Sequence, residues 1–509
     1  MPRWLTGLIL LFLVGHAACR ALSWNHLEYD EAEQLVLVQS LEWGYYYQPP
    51  LYTWLLLPWI KLLGPTIFPL LIVRTVLFLV MFRLMYALTF RVTQHERFAS
   101  LMTLTTLLVP EVFHGAIGMW PHTMLMVVCI LATLLLILRL ADEKSWRDYL
   151  LLGLCGGWGI LSKYNYAHFV AAIVLSMVMI PRWRTVLLDR RMAVAMILAA
   201  LLAAPHGWWM VQHLDEVRHG VVRYTEEKQD QFSSWADTAK HIGINIVQNV
   251  SRSNGFLLLP LLLIFVPGWR NTQRNDGEVV PELHRLLIRF YVIGAILLAL
   301  AMIAGGVLHI RQHWLTAFAM LLPVLVLSRV DPDKLKTWQW RSYQGMMILL
   351  VFGALAWRGG LIAWHGEQGC LSAQSYQYLA YANKLRDSGW NATGTAIVDQ
   401  PYTAAYLRLH FPQAHVHCLY LPMVAKPKSM IDDRVLITWR ERVTRENRKI
   451  REHLKATLGI DSGNWGEPLV VDEPGSRLAD DSLRLISVIV PAPARSEAVP
   501  TVQINPGTR

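Results

Sequence analysis

The sequence predicts an all-α polytopic membrane helix bundle followed by a small C-terminal α/β domain, on the strength of its apolarity, its recurring apolar runs and a change of composition near residue 365. Of the 509 residues, 54% are hydrophobic and the mean hydropathy is +0.32, whereas soluble globular proteins are roughly 45 to 50% apolar. Such a chain belongs in lipid. Crossing a hydrocarbon core about 30 Å thick takes roughly 20 residues of helix, and apolar runs of that order follow one another as far as residue 365.

In chain order, spans are expected near 4–19, 67–90, 98–112, 119–139, 149–161, 166–181, 192–210, 254–268, 288–309, 314–329 and 343–364, about 11 in all. The first has a basic start and an apolar run like a signal peptide, but reads as an uncleaved span because others follow. Leu51–Leu63 is short, follows Pro49-Pro50 and contains Pro58, so it is expected at the interface or against the bundle.

The net charge of +10 does not point to nucleic acid, because the basic residues sit in short loops as topology signals. Arg91, Arg97, Lys144, Arg147, Arg182, Arg184, Arg190, Arg191, Arg270, Arg274, Arg285, Lys334, Lys336 and Arg341 mark cytoplasmic loops. The opposite loops are poorer, which places 20–66 outside. An odd number of spans also puts 366–490 outside as the small α/β domain. There 396–398 and 435–437 read as strands, and 404–409 and 442–458 as helices. The Pro-containing tail 491–509 reads as disordered. Cys19, Cys129 and Cys155 lie in or beside apolar runs as packing residues. Cys370 and Cys418 fall in the polar region, where an oxidising compartment would let them pair.

Carboxylates and aromatics concentrate in the first outside loop: Tyr29-Asp30-Glu31-Ala32-Glu33-Gln34, then Trp43-Gly44-Tyr45-Tyr46-Tyr47-Gln48-Pro49-Pro50-Leu51-Tyr52. Structurally, Asp30 reads as the cap of a helix running to about Glu42, with Glu33 completing a capping box. Chemically, a carboxylate held at a helix N-terminus is aimed and kept ionised, as a base at a membrane-edge cleft requires. The two roles are compatible. Glu31 points about 100° away on a helix, where it would orient an acceptor or face water.

The acidic pair Asp30-Glu31 followed by Pro49-Pro50-Leu51-Tyr52 resembles the GT-C glycosyltransferases of family 39, particularly bacterial lipopolysaccharide galacturonosyltransferases and, more distantly, lipid A aminoarabinose transferases. Leu161-Ser162-Lys163-Tyr164-Asn165 and Arg311-Gln312-His313-Trp314-Leu315 extend the resemblance across 1–365. It implies a multi-pass enzyme of a bacterial inner membrane with a periplasmic catalytic loop at 20–66. Such an enzyme inverts the anomeric centre as it moves sugar from a polyprenyl-phosphate-linked donor to a glycolipid or glycan acceptor. Asp30 would be the base and Glu31 its neighbour in the catalytic pair, while Lys163 and Arg311, at outside ends of spans, would meet the departing phosphate. Each cation could equally anchor a helix end by snorkelling.

Tyr47-Gln48 replaces the acidic-basic pair that aminoarabinose transferases carry, which removes support for a lysine clamp or metal site at that spot. Both residues are candidates for substrate contact. His122 stands in the second outside loop, where the family often has an aspartate, and could bind phosphate or simply start a helix. His313 is a further candidate. No cofactor is specified by the sequence, the cysteines lack metal-ligand spacing and no His-Glu-x-x-His signature is present, and a divalent metal is left open. A transporter or flippase of a lipid-linked sugar is the alternative, but it would favour midplane polar groups and repeated halves.

Overall fold

The computed structural model describes residues 1–22, 27–115, 120–215, parts of 217–265, 279–305, 312–368, 370–390, 394–421, 434–442, 469–472 and 483–491. The helices in chain order are α1 (Arg3–Leu22), α2 (Tyr29–Leu37), α3 (Leu51–Leu63), α4 (Ile67–Thr93), α5 (Glu96–Thr105), α6 (Pro110–Gly115), α7 (Pro121–Asp142), α8 (Trp146–Ser162), α9 (Asn165–Val178), α10 (Pro181–Leu187), α11 (Arg190–Gln212), α12 (Val279–Gly305), α13 (Thr316–Leu327), α14 (Thr337–Gln368) and α15 (Cys370–Asp387). There follow β1 (Thr395–Val398), α16 (Pro401–His410), β2 (His415–Cys418), β3 (Arg434–Arg442), β4 (Leu469–Asp472) and β5 (Leu483–Pro491).

Among the described residues, five helices are long and apolar enough to cross a membrane: α1, α4, α7, α11 and 282–303 within α12. The other apolar helices α3, α9 and α13 are shorter. The expected span at 98–112 is interrupted, because α5 passes into a 3-10 turn at Thr106–Leu108 and restarts at Pro110 as α6. Most of the expected span at 254–268 lies outside the described residues.

The chain divides into two units. Met1–Arg20, Glu42–Leu55 and Leu71–Gly359 make the first. Its core is built from Phe12 of α1, Phe82 and Met85 of α4, Met126 and Ile130 of α7, Phe169 of α9 and Met320 of α13, all essentially buried. Helices α8 and α11 approach through glycines, since a Cβ at Gly153 would stand 2.6 Å from the Ala195 carbonyl and one at Gly157 2.7 Å from the Leu202 Cβ. Small residues four apart are how helices pack closely in lipid. At one end, Asp142 pairs with Arg91 and with Arg182 at 2.6 Å, and Arg139 pairs with Asp148 at 3.0 Å. These are the basic loops that the charge bias marks as cytoplasmic.

Ala21–Leu41, Leu56–Leu70 and Gly360–Arg509 make the second unit. Its sheet has the order β2-β1-β3-β5-β4, with β1 parallel to β2 and β3 and the remaining pairs antiparallel. Tyr381 of α15 is buried against this sheet, its hydroxyl 2.6 Å from Thr438 and 2.8 Å from Ser487. Tyr378 stacks on Tyr406 of α16 at 4.0 Å. Helix α2 packs on α16 and touches β2.

The α2 register departs from the sequence expectation. The helix starts at Tyr29, not at Glu31, and ends at Leu37. Its N-cap is Glu28, whose backbone N–H donates to the Glu31 carboxylate at 3.0 Å. Glu28-x-x-Glu31 therefore replaces Asp30-x-x-Glu33 as the capping pair. Tertiary contacts make the choice, because Leu27, one residue earlier, donates its N–H to the Tyr406 hydroxyl at 3.2 Å. Glu31 is consequently 1% exposed and does not face water.

The expected Cys370–Cys418 link is also overturned. Cys418 is a free, fully buried thiol at the end of β2, 4.0 Å from the Asp399 carbonyl oxygen, and burial pushes it up to about 12. The Cys370 side chain lies outside the described residues, as do 443–458 of the expected second helix and the tail beyond Pro491.

Candidate active site

In the first unit, the segment that begins at Glu42 folds on itself and docks onto the helices. Tyr45 and Gln48 exchange backbone hydrogen bonds at 3.1 and 2.7 Å, closing a turn in which Tyr46 takes φ +50°. Tyr47 sits at this turn, half-buried like Gln48, with its ring 5.2 Å from that of Tyr46. The Tyr45 hydroxyl accepts from the Glu42 N–H at 3.1 Å, and the Trp54 indole donates to the Glu42 carbonyl at 2.8 Å. Gly44 is required here, because a Cβ would lie 2.2 Å from the Trp209 ring.

From this loop two short runs of polar contacts lie across the helices. The Trp43 carbonyl is 2.7 Å from His206 Nδ1, and His206 Nε2 is 3.2 Å from the Tyr164 hydroxyl. Next to Tyr164, Lys163 ends α8 in extended backbone and donates its ammonium to Thr123 at 2.5 Å. His122 precedes Thr123 in the first turn of α7, which Pro121 starts after Trp120 in the left-handed region. Its Nδ1 lies 3.3 Å from the Ser162 carbonyl, and its ring is 5.4 Å from that of Tyr52. His313 stacks on Trp120 at 5.9 Å.

The structure thus brings Lys163 and His122 together and adds Tyr52, Tyr164 and His206, which the sequence reading did not select. An ammonium bonded to a hydroxyl, with the His122 imidazole close enough to feel its charge, suits the binding of an oxyanion.

Glu111 is the other addition. It lies on α6, beyond the interruption that ends α5, and is 0% exposed. Neither carboxylate oxygen makes a hydrogen bond of ordinary geometry among the described residues. Burial pushes it up to about 7, against the weaker opposing effects of its own backbone, the Gln312 side chain and the Lys163 charge. A carboxylate straight after Pro110 within an apolar run is the available signal, although hydropathy alone makes that run the end of a span.

Asp30 and Glu31 belong to the second unit. Asp30 occupies the second position of α2, half-buried, where the helix dipole favours its charge. Arg311 lies outside the described residues. Among the described residues no three His, Cys, Asp or Glu side chains are grouped to hold a metal.

These features lie in a chain similar to known glycosyltransferases. Residues 47–209 match the dolichyl-phosphate-mannose-protein mannosyltransferase family, a stretch that runs from the Tyr47 turn past Lys163 and His206. The lipopolysaccharide core galacturonosyltransferase RgtA of Rhizobium johnstonii is 26% identical over 442 residues, 86% of this chain and 87% of the relative. The lipid A galacturonosyltransferase RgtD of the same organism is 26% identical over 228 residues, 43% of each chain. In fold, the chain is similar to the crystal structure of ArnT from Cupriavidus metallidurans bound to undecaprenyl phosphate, with TM-score 0.55 and 13% identity over 95% of this chain and 98% of that one. The chain is a multi-pass membrane glycosyltransferase, similar to RgtA in sequence and to ArnT in fold.

Proposed function

We propose that this enzyme transfers a sugar of the galacturonic acid class from a polyprenyl-phosphate carrier to lipopolysaccharide core or lipid A at the periplasmic face of the inner membrane. In this reading Asp30 accepts the proton of an acceptor hydroxyl as that oxygen attacks the anomeric carbon. The bond from the anomeric carbon to the phosphate oxygen breaks on the opposite face, so the centre inverts. The electron pair leaves with the polyprenyl phosphate, whose charge is met by Lys163, with Arg311 as a second cation and His122 as a hydrogen-bonding partner. Tyr47, Gln48 and His313 contact substrate in this reading. Its membrane topology has about 11 spans, the N-terminus inside and residues 366–490 outside.

The observation that carries the reading is the Lys163 ammonium at the end of α8 bonded to Thr123 in the first turn of α7, beside His122, whose ring meets the Ser162 carbonyl. The carrier named for the ArnT structure and the acceptors named for RgtA and RgtD support it. Mass spectrometry of core and lipid A from a deletion strain tests it. Loss of a mass increment of one hexuronic acid, restored by the wild-type gene, is expected; an unchanged glycan profile would contradict the assignment.

A further inference from the structure

The second unit holds α2 in place by contacts that reach across most of the sequence. The Gln39 side chain, two residues past the end of α2, joins three backbone groups. Its Nε2 donates to the Val36 carbonyl and to the Val416 carbonyl, each at 2.9 Å, and its Oε1 accepts the Val416 N–H at 2.9 Å. Val416 lies in β2, at the end of the strand order. It turns its N–H and carbonyl away from β1, because the neighbouring His415 and Leu419 are the residues that bond toward β1. An unpaired strand edge is a row of unsatisfied donors and acceptors, and Gln39 satisfies one residue of it as another strand would. At the other end of α2, the Tyr406 hydroxyl accepts from Leu27, and the rings of Tyr29 and Tyr402 meet edge to face at 5.9 Å. The helix that carries Asp30 is thus pinned before its first turn and after its last.

We propose that the C-terminal sheet domain is the positioning device for Asp30, with Gln39 and Tyr406 as its two positioning residues. The inference rests on the reading of Asp30 as the base. An α2 helix of 9 residues is too short to be stable alone, so its orientation comes from what grips it. Proton transfer in turn depends on holding the base within a fraction of an ångström of the acceptor hydroxyl. Neither Gln39 nor Tyr406 touches substrate in this scheme.

The test uses the full-length protein in detergent with a polyprenyl-phosphate-linked galacturonic acid donor and lipid A acceptor. Gln39→Ala and, separately, Tyr406→Phe should each lower kcat by about 10- to 100-fold with donor KM unchanged. Tyr406→Phe keeps the ring stacked on Tyr378 and so guards against a folding artefact. The free thiol of Cys418, two residues from the Gln39 contact, should stay protected from alkylation in both variants. In an Asp30→Asn background, Gln39→Ala should have no further effect, because it acts through a carboxylate already removed. Wild-type kcat in both single variants, or an equal fold-loss with and without Asp30, overturns the positioning role. Wild-type turnover by Asp30→Asn alone overturns the reading of Asp30 first, and the positioning role with it.

Discussion

Burying a carboxylate without a bonded cation is costly unless the group holds its proton, and Glu111 meets that description beside the Lys163 cluster. A raised carboxylate favours folding at low pH and loses that contribution as pH rises through the folded value, here about 7. Glu111→Gln removes the penalty, so its melting temperature should exceed wild type most clearly above pH 7, the gap closing toward pH 5. Transfer should nonetheless fall by about 10-fold or more. Lower stability at pH 8, or full activity, would show a packing residue instead. Lys163 and His122 were legible from residue type at a span end. Glu111, His206 and Tyr52 were not, because single polar residues in or beside apolar segments gain meaning only when the helix ends bring them together.

The helices divide in the same way. Hydropathy located α1, α4, α7 and α11 within a few residues, since lipid imposes one length and one composition. Helix α2 was placed two residues late, because Glu28 and Asp30 each have a glutamate three positions on and local rules rank them alike. The contact that decides, Leu27 to Tyr406, spans 379 residues. The strand cores at 396–398 and 435–437 were visible as apolar runs, whereas pairing Cys370 with Cys418 failed because Cys418 points into the sheet core. The observed cap changes what substitutions should do. Glu31→Gln preserves a capping pair and should remain near wild type, while Glu31→Ala should cost about 0.5–2 kcal/mol of local stability and lower activity. Proteolysis kinetics within residues 27–41 would report the difference; equal protection in the two variants would refute the capping assignment.

At the scale of the whole molecule, composition and the loop charges imply a bundle with residues 20–66 and 366–490 on the same outer side. A reporter fused at residue 400 should be active only as a periplasmic enzyme, and cytoplasmic activity there would reverse the topology. What composition could not reveal is that the segment after α1 divides, with Ala21–Leu41 joining the C-terminal sheet and Glu42–Leu55 joining the helices. Asp30 accordingly belongs to the second unit and Lys163 to the first. The central claim is that Asp30 is the base for transfer from a polyprenyl-phosphate sugar. Because Asp30 does not cap α2, Asp30→Asn and Asp30→Ala should both leave the protein folded and inserted. Turnover of a defined polyprenyl-phosphate galacturonic acid and lipid A acceptor should fall at least about 100-fold in each, while wild-type turnover by Asp30→Asn would contradict the account.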